Sequence, residues 1–490
     1  MAFPWIVLLV LACLALYSLF IVRLRYRKLR HANGPFLAAF TDLYRARIQF
    51  FGPFVPALEQ LHRRYGSIVR IGPNTADSYS SLRVFIGGKS IGSIIDMQDE
   101  DRNRAIRRAV GSAFIANNLL DYEPKLSATI SDLLENIRTH HIHSNARAPV
   151  PFNLYRLIQL FQLDFLFLIA FSSSPGHISQ NTDVLGMAHT LYKRIFHWYA
   201  WQPLPRLERF IYQNPLWSHL LTVPSPWART GAQHLASRLS SSSSPQPNDT
   251  DNTNPTTLDL LQKYILASKS RPDLIPPSSL AGLVNSTISA GADTTSGGIT
   301  TVLYLILRHP HVHAKLLQEL HSAGISTPLR YAEVERLPYL GATIREALRL
   351  SAPLAVPLER TVPAAGCTFG ETVLPPGTVV GCAAWVVHQN KGVFGEDAHV
   401  FRPERYLDAT VEQLQAMERA NLAWGLGGRV CLGKHIAELE MKMVIPTLLL
   451  SFDLNLCNSN LDIPFRNMGT FEMELNPILV TARERGQADK

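Results

Sequence analysis

A cysteine set in a glycine-rich turn constrains this chain more than any other stretch: Trp424-Gly425-Leu426-Gly427-Gly428-Arg429-Val430-Cys431-Leu432-Gly433. Glycine lets the backbone turn sharply and approach a flat ligand closely. Amide groups aimed at the sulfur, with Arg429 two residues away, favour its deprotonated form. Such a thiolate suits a metal, and a haem iron bound by one gains the electron push that favours O–O cleavage. A lone cysteine in a tight turn is more often a buried free thiol, so its companions decide.

Three further motifs accompany it. Ala290-Gly291-Ala292-Asp293-Thr294-Thr295 interrupts an apolar run over residues 280–307, whose length and periodicity predict a long buried helix. An acid, two hydroxyls and a glycine are poor choices for its middle. Gly291 would open space beside the helix. The Thr294 hydroxyl can take the Ala290 carbonyl one turn back, bending the helix and freeing a backbone group. Such a notch could hold dioxygen and a water, with Asp293 and Thr294 relaying protons; alone, the motif reads as a structural kink. Glu346-x-x-Arg349 lies in the helical run 339–350. An exposed pair at that spacing contributes only ~0.2–0.5 kcal/mol and says little by itself. Phe401-Arg402-Pro403-Glu404-Arg405-Tyr406 adds a second arginine, Arg405, able to reach Glu346.

In this order the four motifs resemble those of the cytochrome P-450 family of haem-thiolate monooxygenases, and the resemblance extends to about residue 480. It implies a mainly α fold with minor β and an N-terminal transmembrane helix. It implies that Cys431 is the axial ligand of a haem b iron, with Trp424 and Gly425 beside the ring. Asp293 and Thr294 match the acid–alcohol pair of the oxygen-activating helix, and Ala290 and Gly291 its groove. Glu346, Arg349 and Arg405 match the network that steadies the proximal face. Arg429, Arg107 and Arg360 match haem-propionate partners. The implied substrates are O2 and a small hydrophobic molecule, which the oxidant hydroxylates, epoxidises, demethylates or desaturates. Electrons must come from another protein, because no Gly-x-Gly-x-x-Gly follows a strand; the resemblance implies the membrane-bound NADPH–cytochrome reductase and a monomer in the membrane. Tyr65-Gly-Ser-Ile-Val-Arg-Ile-Gly-Pro-Asn74 and Phe394-Gly-Glu-Asp397 are similar to fungal microsomal members. The segments around residues 37–45 and 88–124 resemble the pisatin-demethylase-like branch, which mostly modifies secondary metabolites. Candidate pocket positions are Thr287 and Ala290, residues 354–356, and Thr470-Phe471.

Three features depart from the family pattern. Trp424 stands where phenylalanine is usual, and Asn103 where relatives often put Trp or His one turn before Arg107. Only residues 75–102 separate the Ile-Gly-Pro-Asn stretch from the arginine-rich helix, where relatives have roughly fifty. That shortening motivates a second reading, a degenerate non-catalytic membrane protein. A third, an oxygen-independent haem isomerase or dehydratase, is opposed by the Asp293-Thr294 pair.

The 490 residues, 46% hydrophobic and 18% charged, can bury one large core. The expected organisation is an anchor with its basic flank over 1–30 and one catalytic domain over 31–490. Residues 3–22 carry no charge and match the roughly 20 needed to cross a bilayer as a helix. Arg23, Arg25, Arg27, Lys28 and Arg30 follow, which by the positive-inside rule leaves the catalytic part cytosolic, on the endoplasmic reticulum membrane. A cleaved signal would instead show an earlier positive charge, a shorter apolar run and a small-residue cleavage site. The net charge of +8 comes with no nucleic-acid module and suits an acidic redox partner. The five cysteines show no paired spacing, as in a reducing compartment. His140, His141 and His143 read as a solvated helix end. Residues 196–221, with Trp198, Tyr199, Trp201 and Trp217, suit either the bilayer interface or core packing. Residues 240–257 read as a flexible surface loop. Two helices are expected over 103–143, an apolar one over 151–172, short strands near 354–380 and a helix over 433–450.

Overall fold

The computed structural model describes residues 23–24, 26–73, 79, 82, 84–86, 89–91, 93–143, 148–214, 216, 226–241, 258–354, 356–458 and 472–486, together with Trp5, Leu16 and Phe20. The core helices are α1 (Glu100–Val110), α2 (Glu123–Ile137), α3 (Leu154–Phe171), α4 (Pro226–Ser241), α5 (Leu260–Ser270), α6 (Leu280–Arg308), α7 (Pro310–Ser322), α8 (Pro338–Leu350) and α9 (Lys434–Ser451). Strands are short and antiparallel: β1 (Val84–Ile86) with β2 (Lys89–Ile91), β4 (Leu358–Thr361) with β7 (Val379–Cys382), and β5 (Cys367–Phe369) with β6 (Thr372–Leu374). The remaining sheet runs β3 (Phe152–Asn153), β9 (Leu479–Glu484), β8 (Phe452–Leu456) and ties the C-terminal segment to the start of α3. The fold is mainly α with minor β, as the sequence implies.

Helix α3 is apolar on every side rather than along one stripe, which suits a helix surrounded by others. The Asn153 side chain caps it by accepting from the Arg156 N–H at 3.3 Å, and Ser172 ends it in a left-handed conformation. Among the described residues it alone is long and apolar enough to cross a membrane, yet 89% of that window is buried inside the protein. It is therefore a core helix.

Helix α6 lies along α3. It runs unbroken from Leu280 to Arg308 although Thr294 Oγ1 donates to the Ala290 carbonyl at 2.6 Å. The expected back-bond forms without interrupting the helix. Glycines set two close approaches. A Cβ at Gly291 would meet both Leu166 methyl groups at 3.1 Å, and one at Gly298 would meet Met441 Cε of α9 at 2.5 Å.

Trp198 and Tyr199 are core residues: both are buried, and Tyr199 donates to the Gln49 carbonyl at 2.9 Å. Phe210 of the same stretch is exposed, and Trp217 lies outside the described residues. Of the expected anchor, Trp5, Leu16 and Phe20 are helical and exposed, and the rest of 3–22 lies outside the described residues. So do 242–257 of the expected loop and, among pocket candidates, residues 355, 470 and 471. No group of His, Cys, Asp or Glu among the described residues is arranged to hold a metal ion, His140, His141 and His143 included.

Candidate active site

The cysteine turn is built by two glycines in conformations that L side chains rarely adopt, Gly425 at φ +70° and Gly427 at φ +66°. Val430 N–H donates to Gly427 O at 3.1 Å and Cys431 N–H to Trp424 O at 2.8 Å, closing the loop just before α9 begins. Cys431 presents its side chain to open space, yet the surrounding protein desolvates the thiol and pushes its pKa up. The Gly433 N–H, Arg107 and Lys434 act in the opposite sense. The amide directed at the sulfur is as expected. The cations that act on it are Arg107 and Lys434, whereas Arg429 faces elsewhere.

Helix α6, which packs on α9, shows one unusual face. Ala290 is exposed and Thr294 half-exposed, while Ala292 and Asp293 beside them are buried. Helices α6 and α9 touch at Gly298 and Met441. Thr294 and Ala290 lie one and two turns back from that contact, and Cys431 lies just before the first turn of α9. Cys431 thus immediately precedes a helix that packs on α6, the helix carrying Ala290 and Thr294. A single sulfur donor in a turn with two left-handed glycines, and a small-residue face on the helix packed against α9, fit a haem held through its iron by Cys431. Gly291 is half-exposed and has a packing role that its sequence position did not show: a Cβ there would meet the Leu166 methyl groups of α3 at 3.1 Å, so glycine lets the two helices approach closely.

The expected contacts among Glu346, Arg349 and Arg405 are present, and these three side chains are buried. Arg349 Nε and Nη2 donate to Glu346 Oε2 and Oε1, each at 2.8 Å, and Arg349 Nη1 to His388 O at 2.6 Å. Arg405 Nε reaches Glu346 Oε1 at 3.2 Å and its Nη1 reaches Asp397 Oδ1 at 2.7 Å. The Arg402 N–H also donates to Glu346 Oε1, at 3.2 Å. Sequence reasoning missed His388. Its Nε2 accepts from Leu422 N–H at 2.8 Å, so Nδ1 is the donor in its 2.7 Å contact with Arg349 O. One neutral imidazole, its pKa pushed down to about 4 chiefly by burial, thereby joins the ion-pair network to the chain entering the cysteine loop. Only its position in the loop between the two arginine motifs hinted at this.

The implied propionate arginines have protein partners. Arg429 makes a two-pronged contact with Glu100 at 2.9 Å and donates to Ile94 O at 3.1 Å and Met97 O at 2.5 Å. Arg107 donates to Val430 O. Arg360, on β4, donates to Tyr79 Oη at 3.1 Å and to Glu359 O at 2.7 Å. Asn103 is buried and donates to Ile94 O at 2.6 Å. In place of a ring contact, it pins the 93–97 turn that Arg429 also grips. The shortened 75–102 segment is thus stitched to the cysteine loop.

A sequence profile of the cytochrome P-450 family matches residues 79–481. The chain belongs to the cytochrome P-450 family. Among curated relatives, this P-450 is 32% identical over 470 residues to a cytochrome P-450 monooxygenase of Aspergillus terreus, with 89% of this chain and 93% of that protein covered. It is 32% identical over 473 residues to cytochrome P-450 monooxygenase pkfB of Emericella nidulans, covering 91% of each. It also matches mpaDE of Penicillium roqueforti at 30% identity over 88% of this chain but 53% of that protein. Members of this family use haem iron and dioxygen, and the comparisons mark this chain as a P-450 monooxygenase. The 470 positions aligned with the first relative take in only 89% of this chain, so that relative carries residues with no counterpart here.

Proposed function

We propose that this P-450 inserts one oxygen atom of O2 into a small hydrophobic substrate, with NADPH-derived electrons delivered by a separate membrane-bound reductase. One observation carries the reading: Cys431 sits in a turn built on left-handed Gly425 and Gly427, immediately before α9, and α9 packs on α6, the helix that bears exposed Ala290 and half-exposed Thr294. When bound there, haem supplies the oxygen chemistry, with the sulfur as its electron-rich ligand.

The chain's own contribution is positional. Gly425 and Gly427 hold the turn, and the Gly433 N–H and Arg107 support negative charge on the sulfur. Thr294 keeps its hydroxyl on Ala290 O at 2.6 Å, where it can pass a proton into the groove. Asp293, one residue back, is the adjacent proton store. Ala290 leaves room for a substrate carbon. An uncharged N-terminal stretch followed by five basic residues supports an anchor in the endoplasmic reticulum membrane with a cytosolic catalytic domain. The net charge of +8 supports an acidic redox partner. Similarity to fungal monooxygenases supports a role in secondary metabolism.

The test is a reduced carbon-monoxide difference spectrum of the chain in microsomes. A thiolate-type Soret band is expected, and its loss in Cys431→Ala with expression unchanged. A well-expressed, membrane-inserted chain lacking that band would sink the proposal and favour a non-catalytic protein.

A further inference from the structure

Asp293 presents one of its two carboxylate oxygens to α3. It is buried, and its Oδ1 turns toward α3, where it accepts from Tyr155 Oη and from Gln159 Nε2, the latter at 3.3 Å. Gln159 Nε2 also donates to Tyr155 Oη at 3.3 Å, so the three groups form a closed triangle. The arrangement continues outward. Arg156 Nη1 donates to Gln159 Oε1 at 2.9 Å, and Arg156 Nη2 pairs with Asp183 Oδ2 at 3.2 Å. Arg156 and Asp183 line an open cleft of about 370 Å³ shared with His141, Asn153 and Asn181. A hydrogen-bonded chain therefore runs from the open cleft to Asp293 of α6. It enters from the side of α6 that faces α3.

A carboxylate this deeply buried is strongly disfavoured unless donors compensate for lost water. Tyr155 and Gln159 are two such donors. Arg156 polarises Gln159 from behind and is itself countered by Asp183. The spacing of Tyr155 and Gln159, four residues apart, puts both on one face of α3. One turn further along the same face, buried Gln162 turns to Glu440 instead, so Tyr155 and Gln159 are the α3 side chains that reach Asp293. We propose that Tyr155 and Gln159 are positioning residues for Asp293: they fix its orientation and how readily it holds a proton while it serves Thr294. The inference rests on the monooxygenase reading above, in which protons are consumed at the groove. Neither residue touches the groove, so neither is a catalytic residue.

Other titratable groups surround the triangle. Arg156 lies on α3, and Asp183 and His177 lie beside its guanidinium. Glu474, on the short helix Glu472–Leu475, acts on Tyr155 across the gap. The tyrosine hydroxyl stays protonated, its pKa raised by burial and then by Asp293, so it can only donate to the carboxylate.

The experiment compares the native chain with Tyr155→Phe and Gln159→Leu by infrared difference spectroscopy as pH is varied. The Asp293 carboxylic band is assigned by its loss in Asp293→Asn. Removing a donor to a charged group weakens the ionised form, so the band in Tyr155→Phe should appear at higher pH, by about one unit or more. Gln159→Leu should move it the same way by less. Peroxide released per NADPH should rise in both variants, while the reduced carbon-monoxide band stays intact. An Asp293 titration unmoved in both variants would overturn the proposal, as would a carboxylic band absent at every pH in all three chains. If Tyr155→Phe does not fold, Gln159→Leu decides alone. Absence of the carbon-monoxide band in the native chain would refute the monooxygenase reading, while the infrared titration would still test the role of Tyr155 and Gln159.

Discussion

Arg349 is the largest fully buried side chain among the described residues, and its guanidinium is satisfied entirely by Glu346 and carbonyl oxygens. A buried pair of this kind adds little over an apolar substitute, but breaking it strands a charge. Arg349→Leu should therefore lose about 3–5 kcal/mol of stability, read as a lower midpoint in urea. Arg330→Leu, at an exposed pair with Glu333, should leave that midpoint nearly where it is. The Glu346–Arg349–Arg405 trio is legible in the sequence because helical spacing brings the first two together and a fixed motif supplies the third. His388 and Asp397 were not legible. Their roles depend on a loop folding back over α8, which no local spacing encodes.

At the scale of elements, long periodic segments read well and their contacts did not. The expected helices over 280–307, 339–350 and 433–450 appear as Leu280–Arg308, Pro338–Leu350 and Lys434–Ser451. Gly291 was legible as a glycine out of place but not as a packing residue, since its neighbour Leu166 lies 125 positions away in the chain. The same limit hid the turn of Arg429 toward Glu100 and of Asp293 toward Tyr155. Gly291→Ala tests the packing reading. Alanine gains about 1 kcal/mol in intrinsic helix preference, but its methyl would press on Leu166 at 3.1 Å, and overpacking costs about 1–3 kcal/mol. A net loss of stability is expected, with partial recovery when Leu166→Ala is added. A variant more stable than the native chain would show that the two helices have slack.

For the whole molecule, buried titratable groups set a pH window of stability. Glu440 of α9 is buried and its pKa is pushed by desolvation from 4.5 up to about 8. Between those values the folded protein keeps a proton that the unfolded chain releases, so stability falls as pH rises toward 8. His388 acts from the other side. Its pKa of about 4 lies below the usual 6.5, so stability falls as pH drops through that interval. Asp397, held down to about 2 first by its hydrogen bond from Arg405, adds a further loss at lower pH. Glu440→Gln should flatten the alkaline side and leave the acid side unchanged, by on the order of a few kcal/mol above pH 8; denaturation midpoints across pH would show it. The close seating of Met441 against Gly298 carries a different consequence. A monooxygenase that releases peroxide bathes its own interior in oxidant, and a thioether turned to sulfoxide becomes larger and polar. The α6–α9 joint has no space for that oxygen, so each lapse in coupling threatens the packing of these two helices, and the working life of the catalyst becomes a matter of how few such lapses it makes.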